Sequence, residues 1–302
     1  MNSNFKSGFV GIIGQPNVGK STLLNNILKQ HLAIVSPKAQ TTRNQIKGIY
    51  TTDNEQIVFV DTPGIHKAHH ELGNFMNETA NNALDGLDLV LFMVDGSKLP
   101  SDADLEALKV ASKAKCPVFL VLNKIDLVKN EEFLKNSIEE YKKLYNFKGG
   151  ITITAVSDES TNKLLNMVID NLPEGPLYYP EDQALDAPEK FVVAEIIREK
   201  ILLLTSEEVP HSVAVVVESF KENAKHSNMY DILATIIVER PSQKKIIIGS
   251  GGSMIKKIGS LARIDIVKLL DKKVYLELFV KVESNWRNDK SQLKELGYKI
   301  QK

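Results

Sequence analysis

Cysteine is almost missing from this chain: among 302 residues only Cys116 is one, so no intramolecular disulfide can form and a reducing compartment is the natural setting. Cys116 flanks an apolar run and reads as a buried core thiol. Net charge is missing too. Lys and Arg total 38, as do Asp and Glu, so no overall field advertises a nucleic acid or a membrane, although a neutral total can hide a basic half. No apolar run approaches the roughly 18 residues that a bilayer span needs. Residues 1–8 lack the apolar core of a secretion signal. The composition therefore predicts a cytoplasmic protein, with enough chain for two domains that each bury a substantial core.

What is present begins at Gly14-Gln15-Pro16-Asn17-Val18-Gly19-Lys20-Ser21, behind the apolar run 9–13 and ahead of a helix-like stretch opening at Thr22. Strand, glycine-bracketed loop and helix is the context in which GxxxxGK[ST] forms a phosphate cradle. Glycines let successive N–H groups turn inward onto a polyphosphate, and the helix that follows adds its positive dipole end. Lys20 is placed to put an ammonium on the β- and γ-phosphates, and Ser21 a hydroxyl on Mg²⁺.

Apolar segments at 9–13, 57–60, 87–94, 118–122 and 151–153 are short, continuous and often β-branched. Such runs are expected for strands buried on both faces, as in a parallel α/β sheet. Between them, 101–113 and 131–144 carry apolar residues at helical spacing. Ligands gather at the carboxyl ends of such strands. There the chain has Asp61-Thr62-Pro63-Gly64, whose carboxylate suits Mg²⁺ through a water and whose glycine N–H suits a γ-phosphate. It also has Asn123-Lys124-Ile125-Asp126, where Asp126 can accept the N1 and N2 hydrogens of guanine, an edge that adenine does not offer. Thr154-Ala155-Val156 follows the last run and can offer backbone donors to the guanine oxygen. Residues 66–78, rich in His and Asn, read as a mobile loop. A further magnesium hydroxyl is needed from the stretch between Ser21 and Asp61, where Thr41 and Thr42 are the candidates.

These motifs, in this order, resemble a Ras-like GTPase of the translation-factor-related class. The resemblance implies Thr42, the threonine before Arg43, as the magnesium ligand, and Lys20, Thr42 and Gly64 as the residues acting on the γ-phosphate. Ras-type enzymes place a water-orienting Gln directly after the DxxG glycine. Here that position is Ile65, which cannot orient water, so slow intrinsic hydrolysis is expected. Asn17, by likeness to related GTPases, is a candidate to help hold K⁺ against the phosphates.

Residues 173–189 are rich in proline and acids and read as an extended linker. Beyond it the pattern changes to helix, strand, strand, helix, helix, strand. The central feature is an apolar run, then Gly249-Ser250-Gly251-Gly252, then a helix with lysines. This resembles the GxxG core of a type II KH domain, whose groove takes about four single-stranded nucleotides. Lys244, Lys245, Lys256 and Lys257 are the nearby candidates for phosphate contacts. Neither variable loop position is basic, so the loop itself should grip phosphate less strongly than KH loops usually do.

Together, a GTPase domain over 1–172, a linker over 173–189 and a KH domain over 190–302 resemble the Era family of bacterial GTPases along nearly the whole chain. The fold class implied is a mostly parallel α/β sheet followed by a smaller α+β domain. The resemblance further implies a monomer that binds the 3′ end of 16S ribosomal RNA, assists 30S subunit assembly and associates peripherally with the inner face of the plasma membrane. The competing expectation is a GTP-regulated module whose second domain grips a protein or a membrane. An ATPase is the third, and it requires Asp126 to stay clear of the base.

Overall fold

The computed structural model describes residues 5–38, 40–65 and 67–299. They divide into two compact units, one running to Ala33 with Thr42–Ala68 and Met76–Asp186, the other comprising Ile34–Thr41, His69–Phe75 and the chain from Ala187 onward.

In the first unit the apolar runs become β1 (Lys6–Ile13), followed by α1 (Lys20–Leu28), β2 (Ile46–Thr51) and β3 (Glu55–Asp61). The chain continues through α2 (Glu71–Asn82), whose residues up to Phe75 count with the second unit, then β4 (Leu89–Asp95), α3 (Asp102–Ala111), β5 (Val118–Asn123), α4 (Glu131–Leu144), β6 (Gly149–Thr152) and α5 (Asp158–Asn171). The sheet order is β2-β3-β1-β4-β5-β6, with β2 antiparallel to β3 and the other pairs parallel. Every residue of β4 is buried, which is why its sequence is a continuous apolar run instead of an alternating one. Cys116 is half-buried, packed at the margin of the cluster around Phe92 and Tyr141.

One expectation is corrected here. The segment from 71 onward, expected to be mobile, is helix α2: Leu72, Met76 and Ala80 recur every four residues and are fully buried, a periodicity that the intervening Asn and Glu residues mask. His66 lies outside the described residues. The structure also adds strand β2, which turns into β3 through Thr52 N–H donating to Glu55 O at 2.9 Å.

The proline-rich stretch is extended and tied down. Pro173 O accepts from Ser7 N–H at 3.2 Å, and Gly175 N–H donates to Phe5 O at 3.0 Å. The fully buried Gln56 then receives the N–H groups of Tyr178 and Tyr179 and donates to Tyr179 O at 2.9 Å. Pairing with β1 and Gln56 of β3, and with β2 through Ile49 N–H to Ala184 O and Asp186 N–H to Lys47 O, therefore places this stretch, up to Asp186, in the first unit.

The second unit holds α6 (Glu189–Leu204), β7 (Ala214–Asn223), β8 (His226–Val238), α7 (Pro241–Ile248), α8 (Ser253–Leu270), β9 (Lys273–Val282) and α9 (Lys290–Glu295). Its sheet runs β7-β8-β9, with β8 antiparallel to β7 and parallel to β9. Ile232, Ala234, Ile236 and Val238 alternate along β8 and are buried, as are Ile197 and Ile201 of α6 and Ile258, Ala262 and Ile266 of α8. The start of α7 is fixed by buried Gln243, which accepts from the N–H groups of Glu239 and Arg240 and donates to Ser212 Oγ at 2.7 Å. Fully buried Trp286 stacks on Tyr298 and donates its Nε1–H to Ser212 O at 3.1 Å.

Candidate nucleotide site and nucleic-acid interface

The loop between β1 and α1 carries Gly14 to Gly19, and Lys20 opens α1. Side chains are excluded at Gly14, where a Cβ would sit 2.2 Å from Met93 O, and at Gly64, where it would sit 2.8 Å from the backbone of Pro16. Lys20 is buried, and its ammonium donates to Gly14 O and Gln15 O, both at 3.0 Å. Burial pulls that ammonium down to about 8, partly opposed by the charge of Asp61. Thr22 is half-buried in the first turn of α1, and Val18 is buried.

Asp61 ends β3 with no exposed surface. Its Oδ2 accepts from Ser21 Oγ at 2.8 Å, and Ser21 Oγ lies 2.9 Å from Thr42 Oγ1. The second oxygen, Oδ1, is buried without a hydrogen-bond partner. Burial pushes this carboxyl up to about 6 against the pull of Lys20 and Ser21. Two hydroxyls converging on a carboxylate with an orphaned buried oxygen are hard-oxygen donors of the kind Mg²⁺ takes. Thr41, the other candidate, turns away: its hydroxyl donates to Lys38 O at 2.6 Å. Thr62 Oγ1 donates to Ile12 O at 2.9 Å, while Pro63 and Gly64 follow without regular structure. Ile65 is packed into the core with Ile13, Val90 and Phe92, so its side chain has no access to a reacting water.

At the far end of the sheet, Asn123 ends β5 as a brace. Its Nδ2 donates to Val18 O at 2.7 Å and its Oδ1 accepts from Ala155 N–H at 2.8 Å. Thr154 Oγ1 donates to Asp126 Oδ1 at 3.0 Å, and the Asp126 carboxylate is exposed. Asp126 sits in a short turn over Ile125–Leu127, and Val156 is exposed. Lys124 Nζ contacts Asp95 Oδ2 at 2.9 Å. Asp95 went unread in the sequence. Burial works against its charge, but hydrogen bonds from Ser97 and Lys124 outweigh it and hold the carboxyl below the usual range. Its signal was positional, since it ends β4 as Asp61 ends β3.

In the second unit Gly249 closes α7, Ser250–Gly252 form a short turn, and α8 starts at Ser253. Gly251 and Gly252 have φ of 57° and 79° with nothing within 4 Å of a would-be Cβ, so an open left-handed loop caps the entry to α8. Lys245, Lys256 and Lys257 are exposed around it and Lys244 is half-buried. This unit also holds 34–41 and 69–75. Val35 N–H donates to Glu199 Oε1 at 2.8 Å, Arg198 donates to Thr41 O, and Arg287 Nη1 lies 3.2 Å from His70 Nε2. Arg198 is fully buried and paired with Glu195.

A phosphate loop, a carboxylate and hydroxyl cluster, and an NKxD strand end on a mostly parallel sheet define a Ras-like P-loop GTPase. The family model described as 50S ribosome-binding GTPase matches residues 9–124, and that of the KH domain matches 208–287. Among solved structures, Era in complex with MgGDPNP and nucleotides 1506–1542 of 16S ribosomal RNA is 39% identical. That match covers 98% of this chain and 100% of the other, with a TM-score of 0.94. A tyrosine-to-alanine variant of Aquifex aeolicus Era bound to GDP·AlF4⁻ is 38% identical over the same shares of each chain, also at 0.94. The chain belongs to the Era family of GTPases, and its reaction is hydrolysis of GTP to GDP and phosphate with Mg²⁺ as cofactor.

Proposed function

We propose that this GTPase is a nucleotide-governed RNA-binding switch that holds the 3′ end of 16S ribosomal RNA and serves 30S subunit assembly. The observation carrying this reading is the full-length likeness to Era seen with both MgGDPNP and 16S nucleotides. The division of labour is 1–172 for nucleotide, 173–189 as connector and 190–302 for RNA, the protein acting as a monomer.

Gly14 to Ser21 cradle the phosphates with Thr22 and Lys20 at the helix start. Ser21 and Thr42 would hold Mg²⁺, with Asp61 acting through a water, and the ion would supply charge neutralisation at the phosphates. Gly64 supplies an N–H to the γ-phosphate, with Thr62, Pro63 and Ile65 shaping its turn. Asp126 reads guanine, Asn123 and Lys124 brace it, and Ile125, Thr154, Ala155 and Val156 frame the base. Asn17, exposed and left-handed at φ 65°, is assigned to K⁺; faster hydrolysis in KCl than in NaCl, lost in Asn17→Ala, tests that assignment.

RNA lies against Gly249, Ser250, Gly251 and Gly252, with Lys244, Lys245, Lys256 and Lys257 on its phosphates. The KH family match supports this over a protein-gripping second half. Coupling follows from chain continuity: Thr42 stands by Ser21, and the carbonyl of its neighbour Thr41 accepts from Arg198 of α6. Placement at the inner face of the membrane belongs to the same reading, tested by co-flotation with anionic vesicles. No helix among the described residues is long and apolar enough to cross a membrane.

The test of RNA binding is Gly252→Asp, which puts a carboxylate on the open loop. Crosslinking in cells followed by sequencing should recover the 3′ end of 16S RNA with the unaltered protein and lose it with the variant. Equal recovery with both would overturn the assignment.

A further inference from the structure

We propose that Asp104, at the start of α3, is a positioning residue of the GTPase reaction, acting through Gln15 of the phosphate loop. The carboxylate is 3% exposed. One oxygen, Oδ2, does ordinary helix-capping work, accepting from Ser101 N–H at 3.0 Å and Ser101 Oγ at 2.7 Å. A cap needs no more. The other oxygen, Oδ1, accepts from Gln15 Nε2 at 2.9 Å, a tie spanning 89 residues of sequence. Burial and the charge of this carboxylate push the ionisation of the Tyr141 hydroxyl up.

Gln15 is where that tie becomes functional. Its carbonyl is one of the two acceptors that fix the Lys20 ammonium. Its chain neighbour Pro16 is the residue whose backbone stands against Gly64. A side chain locked at Gln15 therefore sets two things together, the direction of the Lys20 ammonium and the approach of Gly64 to the phosphate end of the loop. Misplacement of this arm costs catalysis more than binding, because the N–H groups that follow it in the loop, toward Ser21, remain to hold a diphosphate.

The proposal rests on the reading of Gly14–Ser21 as the phosphate loop. A donor–acceptor swap separates the two claims. Gln15→Glu sets one carboxylate against another and should lower kcat about tenfold, with GDP affinity kept within about threefold. Asp104→Asn alone should lower kcat by about threefold, less than Gln15→Glu does, since the new amide oxygen keeps the Ser101 cap while the tie to Gln15 survives only as a neutral bond once the Gln15 amide turns over to accept. The double variant Gln15→Glu/Asp104→Asn should recover the rate, because the introduced amide then donates to the introduced carboxylate, a rescue that a purely structural role for Asp104 does not produce. Gln15→Leu, which removes the hydrogen bond without adding charge, gives the same loss of kcat and serves if Gln15→Glu fails to fold. Unchanged kcat in folded Gln15→Leu, or a Gln15→Glu defect that Asp104→Asn does not relieve, would overturn the proposal. Failure of the unaltered protein to retain GDP would instead remove the phosphate-loop reading beneath it.

Discussion

Thr42 Oγ1 lies 2.9 Å from Ser21 Oγ, whose own proton goes to Asp61 Oδ2 at 2.8 Å. A hydroxyl has one proton, so Thr42 is the donor in the first of these bonds. Oxygens from the start of α1, from the loop ahead of β2 and from the end of β3 are thus brought together by the fold. Thr42→Ala should lower kcat at least about tenfold while leaving GDP affinity within about threefold, because its hydroxyl matters only with a γ-phosphate present. Steady-state hydrolysis beside a GDP titration checks this, with Thr42→Ser expected to retain most of the activity.

Proton linkage at the phosphate site runs in two directions. Asp61, raised to about 6, stabilises the ligand-free fold fully only below its unfolded value of 3.8, and that contribution is lost as pH rises through about 6. Lys20, lowered to about 8, contributes above its unfolded value of 10.5, and that contribution is lost as pH falls through about 8. Binding Mg·GDP favours both charged forms. Calorimetry in buffers of different ionisation enthalpy should therefore record proton release near the Asp61 value and proton uptake about one pH unit above the Lys20 value.

Gly64 has no room for a methyl group, since the obstructing atoms belong to the Pro16 backbone and its ring. Gly64→Ala should fold, retain GDP and hydrolyse GTP at least about tenfold more slowly, as the turn must shift away from the phosphate end of the loop. Single-turnover kinetics beside a melting curve distinguishes this from global damage.

Trp286 anchors the C-terminal segment, fully buried against Tyr298 and bonded to Ser212 O. Trp286→Ala should cost the second unit about 3–5 kcal/mol. Chemical denaturation followed by a probe confined to that unit measures the loss, and GDP affinity should barely change.

The nucleotide site was legible because its motifs are defined by backbone geometry at strand ends, where Gly14, Gly19, Asp61 and Asp126 have few substitutes. Ser21, Thr42 and Asp61 could be assigned to one site before any fold was known. The supporting residues could not. Asp95 and Asp104 are ordinary in type and local pattern, and only the register of β4 with β5 and the approach of α3 to Gln15 give them their long-range partners. Helix α2 was missed because its apolar positions are diluted by Asn and Glu. The proline-rich stretch was legible as extended but not as bound, since its partner, Gln56, lies about 120 residues earlier.

The switch claim is tested most directly by the affinity of the full chain for a short single-stranded RNA matching the 3′ end of 16S RNA. It is measured with GDP and with a non-hydrolysable GTP analogue, at one fixed salt concentration. Ordering of Thr42 by the γ-phosphate, passed through Thr41 to Arg198, predicts binding about tenfold tighter with the analogue. Equal affinities in the two states would contradict the coupling.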